Sequence, residues 1–524
     1  MNAPRSVTLT IEGRQVTVPE GTSILEAAKQ VGVLIPHYCY HPGLPVAGVC
    51  RMCLVEVEKS PKLAPACATS VAEGQVVHVH SEQPLEARKG VLEMLLINHP
   101  LDCPICDQSG ECELQDYTFQ EGRKDSRYRE PKRFNPVEDF GGDVVYVPNR
   151  CILCTRCVRF MDDVAEDPVL NVSERGDRAL IGKVPDKDLT HPWAGNVVDL
   201  CPVGALLSKD SLNKARAWEL DRTASVCPNC TQGCNMIVET RDEVVVRLRP
   251  RPNEDVNGYF MCDYGRLNYR WLNRADRIEQ PMSRQGAALA SSEWESAIQA
   301  AAAALEGKRA HVVASPMLSN EALYLLSRLV ERTGGSGFFT VETGPEAPLS
   351  GVEDLALRAE RAANVRGAEL LGFQKTDNPF AGVGEGDVLI VAGVELAGSA
   401  EAARAAATVV IGSVLTDAAR AAVAVLPIAN MAEEDGTFTN IRGRVQRFRQ
   451  AKAPPGFMRS SWGVLSDLLL ALGDDTNFFT AEEVFAALAR DRKEFAGMSY
   501  DALGYKGLPM ANGQRPKAAS GAHA

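Results

Sequence analysis

The chain has 524 residues, of which 45% are hydrophobic and 24% charged, so it can bury several hydrophobic cores and we expect three or more domains. Its formal net charge of -12 argues against a nucleic-acid binder that works by neutralising phosphates, and it favours neutral or cationic protein partners. No window reaches the roughly 18 uninterrupted apolar residues of a membrane span, and the first residues lack the apolar core of a signal peptide. We therefore expect a chain without a membrane span, in a compartment where thiols stay reduced.

The cysteines are confined to one half of the chain, since all 15 lie between Cys39 and Cys262. Neither a disulfide-stapled secreted protein nor randomly placed core cysteines would produce this segregation, and the spacings are those of metal ligands. We therefore interpret them as four ligand sets, taken below in chain order.

The first predicted domain, residues 1–83, begins with a β-hairpin. VTLTI (7–11) and QVTVP (15–19) alternate apolar and polar residues around a turn at Gly13, which is typical of two antiparallel strands. Ser23 then caps a short helix.

The loop after that helix carries the first set, spaced C-x10-C-x2-C-x13-C: Cys39, Cys50, Cys53 and Cys67. The hairpin, helix and cysteine loop resemble a β-grasp ferredoxin, with a longer first gap than the plant-type C-x4-C-x2-C pattern. Gly43 and Gly48 allow the tight turns that bring backbone amides close to sulfur. These residues predict a [2Fe-2S] cluster.

The second set joins one histidine to three cysteines: His99, Cys103, Cys106 and Cys112. A helical pattern from Leu85 to Ile97 ends before Pro100, so the histidine is delivered at a helix end that faces the cysteine loop. Three cysteines alone are one ligand short, and the imidazole completes four donors. We predict a [4Fe-4S] cluster whose neutral ligand makes it less negative and raises its reduction potential.

The segment that follows the second set, GRKDSRYREPKRFNP (122–136), carries six basic residues. It is typical of a solvated loop, and a docking surface for an acidic partner is the alternative. Both interpretations keep the cations at the surface.

The third set is Cys151, Cys154, Cys157 and Cys201. Two-cluster ferredoxins use C-x2-C-x2-C-x3-C-P, in which the Cys-Pro ligand serves the neighbouring cluster. Position 161 is Met here, so the remote Cys201-Pro202 pair closes the site and we predict one [4Fe-4S] cluster. The second and third sets together define a predicted domain over residues 84–220.

The fourth set is Cys227, Cys230, Cys234 and Cys262, in the form seen at the start of molybdopterin-type oxidoreductases. It predicts a third [4Fe-4S] cluster, in a domain over residues 221–277. The 15 cysteines and His99 then make four sets of four donors with no cysteine left over. Structural zinc, at all four sites or at the fourth alone, is the alternative, since both metals accept thiolates. Three cysteines within seven residues and the Cys-Pro sequence favour iron.

Residues 278–463 change character, since they are Ala-rich, poor in aromatics and free of cysteine. EWESAIQAAAAALEG, and the run capped by Ser319 and stopped by Gly334, predict helices. Strands are predicted at AHVVAS (310–315), DVLIVAG (387–393), TVVIGS (408–413) and AVAVLPI (422–428). Alternating strands and helices indicate a parallel sheet, so the fold class predicted for the whole chain is α/β multidomain.

This half is similar to the molybdopterin oxidoreductase domain, including MAEEDGTFTNIRGRVQ (431–446), which lies near the cofactor in active relatives. No cysteine follows Cys262, so the usual thiolate ligand to molybdenum is missing, and a serine ligand stays an alternative. The chain also ends soon after Gly463, where active relatives have a long capping domain. We expect a degenerate domain with no molybdopterin, followed by a C-terminal extension over residues 464–524 whose tail from Lys506 is disordered.

Three motifs carry a specific family resemblance: HPLDCPICDQSGECELQD (99–116), NRCILCTRCVRF (149–160) and GNVVDLCPVGAL (195–206). They resemble the large iron-sulfur subunit, or G subunit, of proton-translocating NADH:quinone oxidoreductase, which is respiratory complex I. The likeness is strong over residues 1 to about 275 and weaker from 276 to about 460.

The resemblance implies an electron conductor with no catalytic residue of its own, holding one [2Fe-2S] and three [4Fe-4S] clusters. Electrons would enter the Cys39 set from an FMN- and NADH-binding flavoprotein subunit. They would then pass to the Cys151 set and the His99 set, and leave toward quinone-side iron-sulfur subunits. The Cys227 set lies off that path in the family. The implied location is peripheral, on the cytoplasmic side of the inner (cell) membrane.

Two other functions remain open at this point. An electron-transfer subunit of a soluble NAD-reducing hydrogenase or formate dehydrogenase is the redox alternative, because such small subunits resemble residues 1 to about 210. Those subunits usually stop before a fourth cysteine set or continue into a functional molybdenum domain, which favours the complex I subunit. The alternative from a different class is a zinc-stabilised scaffold with no redox role.

Overall fold

The computed structural model describes residues 5–395, 402–475 and 477–510. These residues form two units, one built from the chain up to Leu220 with Leu349–Glu353, and the other from Asp221–Pro348 with the residues from Asp354 onward. Within the described ranges, no helix is long and apolar enough to cross a membrane.

The first unit combines short strands with helices that bracket the cysteine loops. Its strands are β1 (Ser6–Ile11), β2 (Arg14–Pro19), β3 (Leu54–Val57), β4 (Ala64–Pro65), β5 (Val76–His78), β6 (Glu138–Gly141), β7 (Val144–Tyr146), β8 (Leu170–Ser173), β9 (Leu180–Lys183) and β10 (Leu206–Ser208). Its helices are α1 (Ile24–Gln30), α2 (Glu82–Leu96), α3 (Glu113–Glu121), α4 (Arg156–Arg159) and α5 (Asn196–Leu200). A π-helical turn at Phe160–Val164 extends α4.

The first five strands form a β-grasp sheet in the order β2-β1-β5-β3-β4, with β1 antiparallel to β2 and parallel to β5. Leu9 and Ile11 of β1 are buried, because alternate side chains of a strand point to the same face. The Ser23 hydroxyl accepts from the Glu26 amide at 3.2 Å and so caps α1. The predicted hairpin, helix cap and β-grasp arrangement are confirmed.

Two smaller sheets, β10-β7-β6 and β8-β9, complete the first unit. Strand β7 ends shortly before Cys151, and β10 begins shortly after Cys201. The two strands are antiparallel, with Leu206 opposite Tyr146. This pairing brings the two distant parts of the third cysteine set into one region.

The second unit begins with an antiparallel sheet and continues into a larger α/β layer. Its strands are β11 (Asp221–Val226), β12 (Asn235–Arg241), β13 (Val244–Pro250), β14 (Met282–Gln285), β15 (Ala288–Ser291), β16 (Ala310–Ala314), β17 (Ser336–Phe339), β18 (Ala347–Pro348), β19 (Ala356–Leu357), β20 (Gln374–Lys375), β21 (Val388–Ala392), β22 (Ala407–Ile411), β23 (Ala424–Leu426), β24 (Gly436–Thr439), β25 (Arg444–Phe448) and β26 (Leu508–Pro509). Its helices are α6 (Asp263–Leu267), α7 (Trp294–Leu305), α8 (Asn320–Thr333), α9 (Val365–Leu370), α10 (Asp417–Ala421), α11 (Ser461–Ala471), α12 (Ala481–Asp491) and α13 (Tyr500–Leu503).

The main sheet of this unit has the order β15-β14-β23-β22-β21-β16-β17-β20, and its strands from β23 to β20 are parallel. Every residue of β16 and β21 is buried, as expected of a parallel sheet covered on both faces. The Ser319 hydroxyl caps α8 by accepting from the Ala322 amide at 3.1 Å, and Gly334 ends it with a left-handed φ of 61°. The predicted parallel sheet and helix boundaries are confirmed.

The C-terminal extension differs from the prediction at both of its ends. The boundary expected after Gly463 falls inside α11, because Val464 and Leu468 are buried in the same hydrophobic core as α7 and α8. The disordered tail expected from Lys506 is wrong as far as Met510, because β26 pairs with β25. Residues 511–524 lie outside the described part of the chain.

Candidate iron-sulfur sites

The first set lies in the loop between α1 and β3 and just after β4. Cys39, Cys53 and Cys67 are buried, and Cys50 is partly exposed. The Cys39 amide donates to the Cys50 sulfur at 3.5 Å. Hydrogen bonds with Cys50 and Cys67 lower the pKa of Cys39, and a hydrogen bond with Cys67 lowers the pKa of Cys53 to about 7. Gly48 turns the loop with a φ of 63°, and the fold brings all four sulfurs together.

The second set follows α2 and precedes α3. Cys106 and Cys112 are buried, whereas Cys103 is exposed. The Nδ1 atom of His99 is buried and has no hydrogen-bond partner among the described residues. Burial lowers the pKa of His99 to about 4, so its ring is neutral at pH 7 and keeps a lone pair for a metal. An orphaned ring nitrogen fits a metal ligand, and the place of His99 in the set stays a prediction.

Gly204, which follows Cys201 of the third set, packs against the Cys106 sulfur of the second set. A Cβ atom on Gly204 would lie 2.3 Å from the Cys106 sulfur and 3.0 Å from the Gln108 Cβ. Only a residue without a side chain fits so close to a sulfur. The loop that carries Cys201 therefore packs directly on a sulfur of the second set.

The third set surrounds the start of α4. Cys157 lies in α4, and Cys201 directly follows α5. Leu153 and Thr155 adopt left-handed φ values of 54° and 59°, which are uncommon for residues with a Cβ and turn the chain sharply between the cysteines. Burial raises the pKa values of Cys151, Cys154 and Cys157, and the nearby Cys201 raises all three further, so the structure brings this set together as well.

Hydrogen-bond donors point at two sulfurs of the third set. The Leu153 amide donates to the Cys151 sulfur at 3.4 Å, and the buried Tyr146 hydroxyl bonds to the same sulfur. The Tyr146 oxygen accepts from the Ile181 amide at 3.3 Å, which leaves its own proton for the sulfur. Burial raises the pKa of Cys201, and the nearby backbone amides of Val203, Leu206 and Ala205 oppose that rise. Such bonds favour the negatively charged forms of a thiolate-held cluster.

The fourth set lies in the second unit, between β11 and β12 and before α6. Cys227, Cys230, Cys234 and Cys262 are all buried. The Cys227 amide donates to the Cys234 carbonyl at 2.8 Å and closes the loop. The Gly265 amide donates to the Cys262 sulfur at 3.3 Å, and a Cβ there would lie 3.1 Å from the Cys227 sulfur. Gly265 thus stands between two sulfurs of this set.

Burial dominates the ionisation of the third and fourth sets. It raises the pKa of Cys151 to about 11, and those of Cys154 and Cys227 to about 12, because low-dielectric surroundings disfavour a thiolate. A bound cationic iron centre would stabilise the thiolates, so binding would release protons.

The chemistry of the four sets fits iron-sulfur clusters. Each set gathers thiols, joined in the second set by an imidazole, and Cys103 is the one exposed cysteine among them. Backbone amides donate to sulfurs of the first, third and fourth sets. Across the described ranges, no three His, Cys, Asp or Glu side chains are grouped so as to hold a single metal ion.

Sequence reasoning missed the side chains that connect different sets. Tyr38, next to Cys39, packs edge-on against Tyr117 of α3 with ring centroids 5.4 Å apart. Arg156 and Arg159, inside the third motif, reach carbonyls in the loop of the first set. Their positions beside ligand cysteines are visible in the sequence, but the partners are not.

The basic segment 122–136 packs along α2 through three of its six cations. Arg127 donates to both carboxylate oxygens of Glu93 at 2.6 Å, and Arg123 lies 3.5 Å from the same carboxylate. Lys132 donates to the Leu96 and Ile97 carbonyls at 2.8 and 3.0 Å, where the helix dipole favours a cation. A docking role for the segment stays a prediction.

The stretch at residues 431–446 uses its buried polar groups within the protein. The Thr437 amide and hydroxyl donate to the Glu321 carboxylate at 2.8 and 3.0 Å. The Ser461 amide and hydroxyl donate to the Glu434 carboxylate at 2.6 and 2.8 Å. Groups that are already paired in this way do not fit a pterin cofactor, and the absence of molybdopterin stays a prediction.

Five family models match the chain in sequence. They are a 2Fe-2S iron-sulfur cluster binding domain (4–82), an NADH-ubiquinone oxidoreductase-G iron-sulfur binding region (88–127), the ferredoxin-like domain of NADH-quinone oxidoreductase subunit 3 (141–207), a molybdopterin oxidoreductase Fe4S4 domain (220–274), and molybdopterin oxidoreductase (277–408 and 399–470). Each of the four ligand sets falls within one of the first four matches.

Curated relatives of the chain are subunits of NADH-quinone and NADH-ubiquinone oxidoreductases. The chain is 39% identical over 335 residues to the G subunit of NADH-quinone oxidoreductase from Rickettsia bellii, covering 63% of this chain and 49% of the relative. It is 42% identical over 341 residues to the mitochondrial 78 kDa subunit of NADH-ubiquinone oxidoreductase from Candida albicans, covering 64% and 47%. The chain thus spans about half the length of these relatives.

Among solved structures, a chain of an NAD+-reducing [NiFe]-hydrogenase in the H2-reduced state is 31% identical. It matches with a TM-score of 0.37 and covers 40% of this chain and 91% of the hydrogenase chain.

The matched domains and the fold define an iron-sulfur protein, with ferredoxin-like, 4Fe-4S-binding and molybdopterin-oxidoreductase domains in that order. The curated relatives indicate which iron-sulfur protein the chain resembles. The chain is a homologue of the G subunit of NADH-quinone oxidoreductase, so the resemblance predicted from the three motifs is confirmed.

Proposed function

We propose that this chain is the electron-transfer subunit of a proton-translocating NADH:quinone oxidoreductase, carrying electrons from an FMN subunit toward quinone. The observation that carries this proposal is the succession of four donor sets, most of whose cysteines are buried, in a homologue of the G subunit. Enzymatic activity belongs to the assembled complex, and we assign no acid, base or nucleophile to this chain.

The proposed cofactors are one [2Fe-2S] cluster at the Cys39 set and three [4Fe-4S] clusters at the His99, Cys151 and Cys227 sets. When bound, such clusters accept and release single electrons. The protein's part is to supply the sulfurs and the imidazole, to direct amide and hydroxyl donors at sulfur, and to exclude water. The mostly buried cysteines, and the amides that donate to sulfur in the first, third and fourth sets, support this assignment.

Exposed apolar side chains beside the first two sets support the docking of partner subunits. Val46 and Val49, in the loop of the first set, are 50% and 54% exposed. Leu101 and Ile105, on either side of the exposed Cys103, are 89% and 68% exposed. Apolar surface beside a redox site is typical of a protein contact. We place the flavoprotein subunit at the first surface and a quinone-side iron-sulfur subunit at the second, in a complex peripheral to the cytoplasmic side of the membrane.

The test is Cys154→Ala in the assembled complex. We expect NADH-driven quinone reduction to be lost, while ferricyanide reduction at the partner's flavin continues, because electrons can reach the flavin but cannot pass the third set. Cys230→Ala is the matched control, since the fourth set lies off the proposed path and quinone reduction per assembled complex should persist. Quinone reduction at the wild-type rate in Cys154→Ala would contradict the proposed function.

A further inference from the structure

Arg156 is a buried cation that contacts three separate segments of the first unit. Its side chain is on α4 and the residue is 4% exposed. Nη2 donates to the Tyr40 carbonyl at 2.8 Å, and Nη1 donates to the Leu200 carbonyl at 3.2 Å. The same two nitrogens each lie 3.4 Å from a carboxylate oxygen of Glu113. One guanidinium fork thus holds acceptors from three distant parts of the chain.

Every acceptor of Arg156 is the sequence neighbour of a predicted cluster ligand from a different set. Tyr40 follows Cys39 of the first set, Glu113 follows Cys112 of the second set, and Leu200 precedes Cys201 of the third set. Arg156 itself precedes Cys157. The three predicted sites are therefore joined through a single side chain.

Two other arginines of the first unit join the sets only in pairs. Arg159 donates to the Cys39 carbonyl at 2.5 Å and to the Cys154 carbonyl at 3.3 Å, which connects the first and third sets. Arg150, next to Cys151, donates to the Asp102 carboxylate at 3.0 and 3.1 Å, which connects the second and third sets.

A buried positive charge favours the more negative state of any redox group near it. Reduction adds one negative charge to an iron-sulfur cluster, and Coulomb interactions are strong where water is excluded. The potential of such a cluster depends on its charge, its hydrogen bonds and its exposure. Arg156 supplies a positive charge beside all three sites, where it pairs with the Glu113 carboxylate at 3.4 Å. It also holds the backbone carbonyls of Tyr40 and Leu200.

We propose that Arg156 is a positioning residue that joins the loops of the first, second and third sites and raises their reduction potentials together. The proposal rests on the proposed function, since it concerns clusters held at those sites. It predicts that a single substitution changes three clusters whose ligands are far apart in sequence.

The experiment compares Arg156→Met, Arg156→Lys and Arg159→Met with the wild-type holoprotein by redox-poised EPR. In Arg156→Met we expect the equilibrium constant for reduction of each of the three clusters to fall about tenfold. This fall lowers each reduction potential by about 59 mV for a one-electron couple. Arg156→Lys keeps the charge and should recover most of that shift. Arg159→Met is the matched control, in which the first and third signals shift and the second does not. The fourth-site cluster serves as the unchanged internal reference.

A shift confined to the third-site signal in Arg156→Met, or no shift at all, would overturn the proposal. If Arg156→Met fails to assemble, Arg156→Lys decides by hydrogen exchange, because lysine has a single nitrogen in place of the two separate Nη atoms that reach the Tyr40 and Leu200 carbonyls. Faster exchange in the segments at 38–44 and 198–206 is expected there, and unchanged exchange would refute the joining role. A wild-type chain without iron or sulfide would instead refute the proposed function, and this inference with it.

Discussion

At the third set, a tyrosine and several backbone amides direct hydrogen-bond donors at sulfur. Tyr146 is fully buried and bonds to the Cys151 sulfur, and the Leu153 amide bonds to the same atom. Donors to sulfur stabilise the reduced, more negative cluster, so each of them raises the reduction potential. Single side chains can therefore be tested through the potential of one cluster.

Tyr146→Phe should lower the potential of the third-site cluster, because it removes the hydroxyl donor while keeping the ring. We expect the equilibrium constant for reduction to fall about tenfold, which corresponds to a potential lower by about 59 mV. The measurement is a redox titration with EPR detection. Tyr38→Phe is the matched control, since Tyr38 is also buried beside a ligand cysteine and its hydroxyl has no hydrogen-bond partner within the described ranges. Equal potentials in Tyr146→Phe and the wild type would contradict a role for this donor.

Gly204→Ala should displace the Cys106 sulfur, because the new Cβ would lie 2.3 Å from it. We expect the second cluster to be lost, with about 4 fewer iron atoms per chain by metal analysis. Gly90→Ala is the control, since a Cβ there meets no atom within 4 Å. That control should keep all its iron and gain roughly 0.5–1 kcal/mol in the free energy of unfolding, because alanine replaces glycine in a helix. Full iron content in Gly204→Ala would contradict this prediction, because it would show that the loop of Gly204 can move and leave the Cys106 sulfur in place.

Among the elements of the second unit, α8 is tied to β24 and α13 through one carboxylate. Glu321 of α8 accepts from the Thr437 amide at 2.8 Å and from the Tyr500 hydroxyl at 2.8 Å. Burial raises the pKa of Glu321 to about 7, and it raises that of Glu434 to about 8. These buried carboxyls link the packing of the elements to pH.

The free energy of unfolding should fall as the pH rises from about 4.5 to about 8. Because the native pKa of Glu321 lies above its ordinary value of 4.5, the native state keeps a proton that the unfolded state loses in this range. Each such group contributes a slope of up to about 1.4 kcal/mol per pH unit. Glu321→Gln cannot ionise and should reduce the slope, as measured by urea unfolding of the full chain between pH 5.5 and pH 8.

Glu306→Gln, an exposed carboxylate just after α7, is the control for that experiment and should leave the slope unchanged. The same pH slope in Glu321→Gln and the wild type would show that Glu321 does not couple folding to pH.

Local sequence signals located the elements well where each signal is complete within a few residues. The Ser319 cap and the Gly334 stop of α8 are examples, since both act within one helical turn. Strand β26 was missed because it is two residues long and pairs Leu508 with Val445, which is distant in sequence. The partners of Arg156 were missed for the same reason, since a motif specifies spacing within a loop and not contacts between loops.

For the whole molecule, the distribution of cysteine matches the division into units. The first unit contains the first three sets, and the second unit contains the fourth together with the cysteine-free α/β sheet. The sequence predicted the four sets and their order, and the first four family matches each enclose one of them. The metal centre that each set holds determines how much iron, zinc and sulfide the purified chain contains, and these amounts can be measured.

The most direct measurement is iron, zinc and acid-labile sulfide in anaerobically purified chain, with EPR of the dithionite-reduced sample. One [2Fe-2S] and three [4Fe-4S] clusters predict about 14 iron and about 14 sulfide per chain, with one slow-relaxing and several fast-relaxing signals. Stoichiometric zinc without sulfide would contradict the electron-transfer function and would make the chain a scaffold.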